Sequence, residues 1–242
     1  WAFYHVVYDA EIFTKIKESF NELNSLEKYR LLEDTWKSVT IGKFSINEFL
    51  EFLPIYKSER DPNIWAYIAG IISSLSKILP NGSNVSFVNY FNELIDSIKN
   101  DLGKEIKDSD SMEIKELRAT VNKLIGTIEN EESFVDFYSS KFKDGSIENM
   151  EDGSLYNTTL YISALDPEIK IEHFLEKFLN AGSPQIEGRY RAILGVVRDP
   201  NAGKIIVQSM LDGTIRGADC PYILASMIAN KVTGKDSWNE IK

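Results

Sequence analysis

The side chains able to do chemistry are few in this sequence, and their spacing limits what they can do. It holds two histidines, His5 and His173, and a single cysteine, Cys220. A metal centre draws three or four ligands onto one point. His173 and Glu176 stand about one helical turn apart and supply only two, so they read as polar positions of an amphipathic helix, and no metal is expected in this chain. Cys220 lies in Asp219-Cys220-Pro221 near a helix start, where the dipole favours a thiolate. A nucleophile also needs a base, and no histidine is near it in sequence, so it reads as a structural thiol. Neither glycine-rich phosphate cradle, Gly-x-x-x-x-Gly-Lys-Ser/Thr or Gly-x-Gly-x-x-Gly after a strand, is present.

The arginines are unevenly placed. Four of the seven, Arg189, Arg191, Arg198 and Arg216, fall in the last third of a chain whose formal net charge is -10. A guanidinium grips a carboxylate through two parallel hydrogen bonds. On a concave face these four would attract the C-terminal carboxylate of a peptide. The plainer assignment pairs them with Asp199, Asp212, Asp219 and Glu187 on solvated faces. Arg30 and Asp34, four apart on one helix, read as structural. Glu131-Glu132 and Glu151-Asp152 read as loop or helix-start charges rather than a general acid and base.

With 27 basic and 37 acidic residues, the surface repels phosphate backbones, so nucleic acid is not an expected partner. No apolar run approaches the ~20 residues of a membrane helix, and a membrane is not expected either. One cysteine permits no internal disulfide and fits a reducing compartment, so the expected location is cytoplasmic. The sequence opens on Trp1, which is expected of a piece of a longer protein.

Positioning falls to helices. Trp1 to Tyr8 is rich in aromatic and β-branched residues and reads as one strand. Helical faces then follow: Ile12, Phe13, Ile16, Phe20 and Leu23; Leu26, Tyr29, Trp36 and Val39, stopped at Gly42; and Ile46, Phe49, Leu50 and Leu53 behind a capping box at Ser45 and Glu48. Asp61-Pro62 opens a helix to Leu79, closed by Pro80-Asn81-Gly82. Ser83 or Asn84 caps the next, which weakens near Gly103. Met112 to Ile128 and Glu132 to Phe142 are helices, and Asp144 to Gly153 is the best candidate loop. Asp166-Pro167, Ser183-Pro184 and Asp199-Pro200 each set a capping residue before a proline at the first helical position. The two Asp-Pro starts lie 33 residues apart, the period of a helix pair in an irregular armadillo or HEAT solenoid. A last helix covers Asp219 to Asn230, and Trp36 and Trp65 are expected in the core.

Several of these stretches carry a resemblance. Arg30, Leu31 or Leu32, and Asp34, then a glycine turn, an apolar helix, and Glu59 with Trp65, resemble the start of the helical C-terminal domain of the zinc aminopeptidase N-like family. The archaeal tricorn-interacting and the endoplasmic reticulum aminopeptidases belong to that family. WAFYHVVYD, Trp1 to Asp9, is similar to the strand closing the small β-sandwich before that domain, with Ala2 in place of the usual glycine and His5 in place of arginine. YRAILGVVRDP, IRGAD and Trp238 resemble its distal repeats.

The fold expected is therefore an all-α superhelix of armadillo/HEAT-like hairpins over residues 10–242, with residues 1–9 left as the last strand of a preceding β-sandwich. The resemblance implies a domain that caps the active site of a zinc aminopeptidase and shapes the chamber that admits peptides. Its partners would be the catalytic and β-sandwich domains of the same polypeptide and a peptide substrate. Zinc would lie in the catalytic domain, since the His-Glu-x-x-His pair and downstream glutamate that hold it are not in this sequence, and no catalytic residue is expected here. The competing expectation is a non-enzymatic α-solenoid scaffold for protein partners.

Overall fold

The computed structural model describes residues 4–79, 84–107, 109–128 and 132–241. Among these the chain is all helical, with thirteen α-helices, three short 3-10 turns and no strand. The described residues fall into two compact units, one within Trp1–Ser74 and Pro80–Val121, the other within Leu75–Leu79 and Asn122–Lys242.

In the first unit, helix starts follow the side chains that can satisfy orphan backbone donors. Asp9 caps α1 (Ala10–Glu18) by accepting the Ile12 N–H at 2.9 Å. Asn24 and Glu27 form a capping box before α2 (Ser25–Thr40), and Ser45 and Glu48 form the expected one before α3 (Ile46–Phe52). Between α2 and α3 the chain turns at Gly42 with φ +71°, a conformation glycine adopts without a Cβ penalty. Asp61 opens α4 (Pro62–Ile78), accepting the Asn63 N–H at 2.8 Å. Then come α5 (Asn84–Leu102) and α6 (Met112–Ile128), joined through Gly103 at φ +67°.

Phe13, Phe49, Phe52, Leu53, Tyr56, Ile64, Trp65 and Ile68 are buried in this unit. Trp65 is fully enclosed and its indole N–H donates to the Glu59 carbonyl at 2.8 Å; Trp36 is half-buried against Phe49.

Two expectations are corrected in this unit. The strand expected at the N-terminus is absent over Tyr4–Asp9, while Trp1–Phe3 lie outside the described residues. No strand is available to it among the described residues, and side chains anchor it to α2 instead: Arg30 donates to the Tyr4 carbonyl at 2.8 Å, and His5 Nδ1 lies 3.1 Å from Asp34 Oδ1. The buried face of α2 is also not the one its large apolar residues suggest. Leu31, Leu32, Asp34, Thr35 and Ser38 are buried, whereas Leu26 is 68% exposed and Tyr29 is only half-buried. Thr35 and Ser38 can go inside because each hydroxyl donates to the carbonyl four residues back, at 2.6 and 2.9 Å.

In the second unit, the C-terminal part of α6 is followed by α7 (Glu132–Lys143), α8 (Gly153–Ser163), α9 (Ile171–Leu179), α10 (Pro184–Leu194), α11 (Ala202–Leu211), α12 (Cys220–Ile228) and α13 (Gly234–Ile241). α7 packs on α8, α9 on α10, and α11 on α13, while α12 lies against α10 and α13. Ile171, Phe174, Phe178, Tyr190, Ile193, Leu194, Val197 and Ile206 form one core, as their spacing predicts.

Of the three X-Pro starts, only Ser183-Pro184 begins a helix at the proline. Asp166 and Asp199 instead close turns onto the N–H two residues on, each at 2.9 Å, and the helices begin later, at Ile171 and Ala202. α8 and α13 are helices the periodicity did not reveal. Tyr156, Thr158, Thr159, Leu160, Ile162 and Ser163 of α8 are all buried, so it has no polar stripe to set off an apolar one.

Candidate functional site

The four arginines of the last third have different surroundings. Arg191 donates to Asp219 at 2.8 Å and stacks over Tyr222, 5.2 Å from the ring centroid. Arg216 bonds the same Asp219 at 3.0 Å and also pairs with Glu187. Asp219 lies just beneath the surface, covered by the two guanidiniums, and the hydrogen bond from Arg191, joined by Arg216, holds its carboxyl below the ordinary range. Arg189 lies over the Tyr156 ring at 4.7 Å. Of the acids expected beside them, Asp219 and Glu187 pair with arginine, Asp199 and Asp212 accept backbone N–H groups.

Arg198 is placed otherwise. It sits between Val197 and Asp199 in the turn before α11, its backbone N–H donating to the Ala164 carbonyl at 3.1 Å. Burial pushes its guanidinium down from the usual arginine range, against the opposing influence of Tyr161. Tyr161 lies on α8, and the Lys123 ammonium stands over its ring, 4.0 Å from the centroid. Lys123 is exposed as a residue. Burial first, and then the nearby Lys77 cation, push its pKa down. Two cations, Lys123 and Arg198, thus neighbour one phenol ring within the second unit, and Lys77 lies near enough to Lys123 to act on it. The sequence showed Arg198 as one of four arginines; Lys77 and Lys123 come from different helices and carried no signal of their own.

The first unit has an open cleft of about 680 Å³, walled by Ser25, Leu26 and Tyr29 of α2 and by Asp61, Asn63, Ala66 and Tyr67 at the start of α4. The Tyr29 and Tyr67 rings meet edge to face, 5.5 Å between centroids.

Other candidates fall away from chemistry. Among the described residues no group of three His, Cys, Asp or Glu side chains could hold a metal ion; His173 and Glu176 are exposed. Cys220 is half-exposed, with Sγ 3.5 Å from the Arg216 carbonyl oxygen. No helix among the described residues is long and apolar enough to cross a membrane. Arg30 and Asp34 are 3.7 Å apart, and Glu59 is bound by Lys28 at 3.0 Å, so these signature residues are structural.

Among the described residues the chain is a succession of paired helices with no group of three metal-ligating side chains. Residues 1–242 match the model of the ERAP1-like C-terminal domain, and the chain belongs to that family, the helical C-terminal domain of the aminopeptidases. It is also similar to the tricorn protease-interacting factor F2 of Thermoplasma volcanium, 25% identical over 97% of this chain, and to that of Thermoplasma acidophilum, 22% identical over 94%. The matched region is 28% of the length of either relative.

Proposed function

We propose that this chain is the capping domain of a zinc aminopeptidase, stacked as an armadillo/HEAT-like superhelix over the active site of the same polypeptide and shaping the chamber that admits peptides. The observation that carries this reading is the family match over residues 1–242. The zinc would be held by the catalytic domain, since the described residues here offer no donor set for it, and no catalytic step is assigned to this chain. Covering the site would exclude water and orient the peptide.

Within the domain, the gathered cations refine the expected peptide-carboxylate site. Arg198, with Lys123, takes the C-terminal carboxylate beside the Tyr161 ring, where the carboxylate would meet two cations that share that ring. Arg191 and Arg216 bond Asp219, and Arg189 lies over the Tyr156 face.

The test is made on the parent polypeptide. It is expected to carry His-Glu-x-x-His and a downstream glutamate, and a form lacking residues 10–242 is expected to keep hydrolysis of a small aminoacyl anilide while losing efficient trimming of nonapeptides. A parent without the metal motif, or nonapeptide trimming unchanged by the deletion, overturns the proposal.

A further inference from the structure

The cleft between α2 and α4 has a chemistry of its own. Its walls combine apolar surface from Leu26, Ala66 and the two tyrosine rings with acceptors from Ser25, Asn63 and Asp61, and none of its lining residues is basic. Two helix starts meet there, and bare helix starts would favour an anion. These are not bare. At α2 the Asn24 and Glu27 donors and acceptors satisfy each other, and at α4 the Asp61 carboxylate takes the N–H groups of Asn63 and Ile64. Asp61 therefore brings negative charge to the cleft. Both cap bonds of Asp61 go to Oδ1, which leaves Oδ2 to other donors. Behind the rings, Tyr67 is pushed up by burial first and then by Glu33, Tyr29 and Asp34.

We propose that this cleft receives a lysine or arginine side chain of a bound polypeptide, its aliphatic stem along Leu26 and Ala66 and its cation against the Tyr29 and Tyr67 rings with Asp61 as counter-ion. This deepens the peptide-binding reading above and rests on it. A cleft of this size holds one long side chain and its flanking backbone, within the range of small-ligand sites.

The experiment titrates the full chain, by calorimetry, with an acetylated and amidated nonapeptide of alanine and serine bearing one central lysine, and with its norleucine and glutamate counterparts. The lysine peptide is expected to bind about fivefold more tightly than the norleucine one. Tyr67→Ala is expected to remove that preference, whereas Tyr67→Phe, which keeps the ring, retains it. Equal binding of lysine and norleucine peptides, preference for glutamate, a preference surviving Tyr67→Ala, or no detectable binding of any peptide overturns the proposal. Because both peptide ends are blocked, the proposed carboxylate site plays no part, and failure here is separate from failure of the free-acid comparison that tests that site.

Discussion

Asp199 caps a helix that it does not precede. Its Oδ2 accepts the backbone N–H of Ile171, the first residue of α9 and 28 positions upstream, at 3.1 Å, while Oδ1 accepts Asn201 N–H in its own turn. One buried carboxylate thereby ties the start of α9 to the turn that leads into α11. Lys170, which precedes α9, makes no side-chain cap bond. Asp199→Ala strands two donors at once and is expected to cost about 2 kcal/mol, read from the urea midpoint of the chain, with Asp199→Asn retaining part of it.

The Asp219 clamp predicts a pH dependence with a definite sign. Hydrogen bonds from Arg191 and Arg216 lower the carboxyl of the folded protein, so the folded state binds fewer protons at this site than the unfolded one. Its stabilisation is present above the unfolded value of about 3.9 and is lost as pH falls through the lower folded value. Asp219→Asn is expected to lower the melting temperature at pH 7, and its difference from the native chain is expected to close on acidification below that range. A difference that stays constant from pH 7 to pH 2 counts against the clamp.

Gly195, at the end of α10, is expected to be intolerant of a methyl group. A Cβ there would overlap the Ser226 side chain and stand 2.9 Å from the Met227 backbone nitrogen on α12, and backbone cannot yield as a flexible side chain can. Gly195→Ala is expected to cost about 3 kcal/mol, against near neutrality for Gly70→Ala, where a Cβ meets nothing within 4 Å. Chemical denaturation of the two variants side by side decides it.

These sites mark what the residues alone disclosed and where that stopped. Caps with an immediate physical partner were legible: Ser45 with Glu48, Asp61 before Pro62, and Ser183 before Pro184 all start helices as read. Asp-Pro at 166 and 199 misled because an aspartate closes a turn on its second following N–H as readily as it caps a helix, and proline fits both. α8 escaped because its buried hydroxyls satisfy themselves, as Ser163 does on the Thr159 carbonyl at 2.7 Å, and so erase the polar contrast a periodic reading needs. At the site, Arg198 stood out as a rare residue, but its companion is one lysine among many, and only folding brings Lys123 over Tyr161.

The most direct test of the peptide-holding role compares a nonapeptide ending in a free carboxylate with its amide, binding to the chain and to its Arg198→Ala and Lys123→Ala variants. The account predicts that the free acid binds about tenfold more tightly than the amide, and that either substitution removes most of that preference while leaving amide binding unchanged. Equal affinity for acid and amide, or a preference that survives both substitutions, would contradict it.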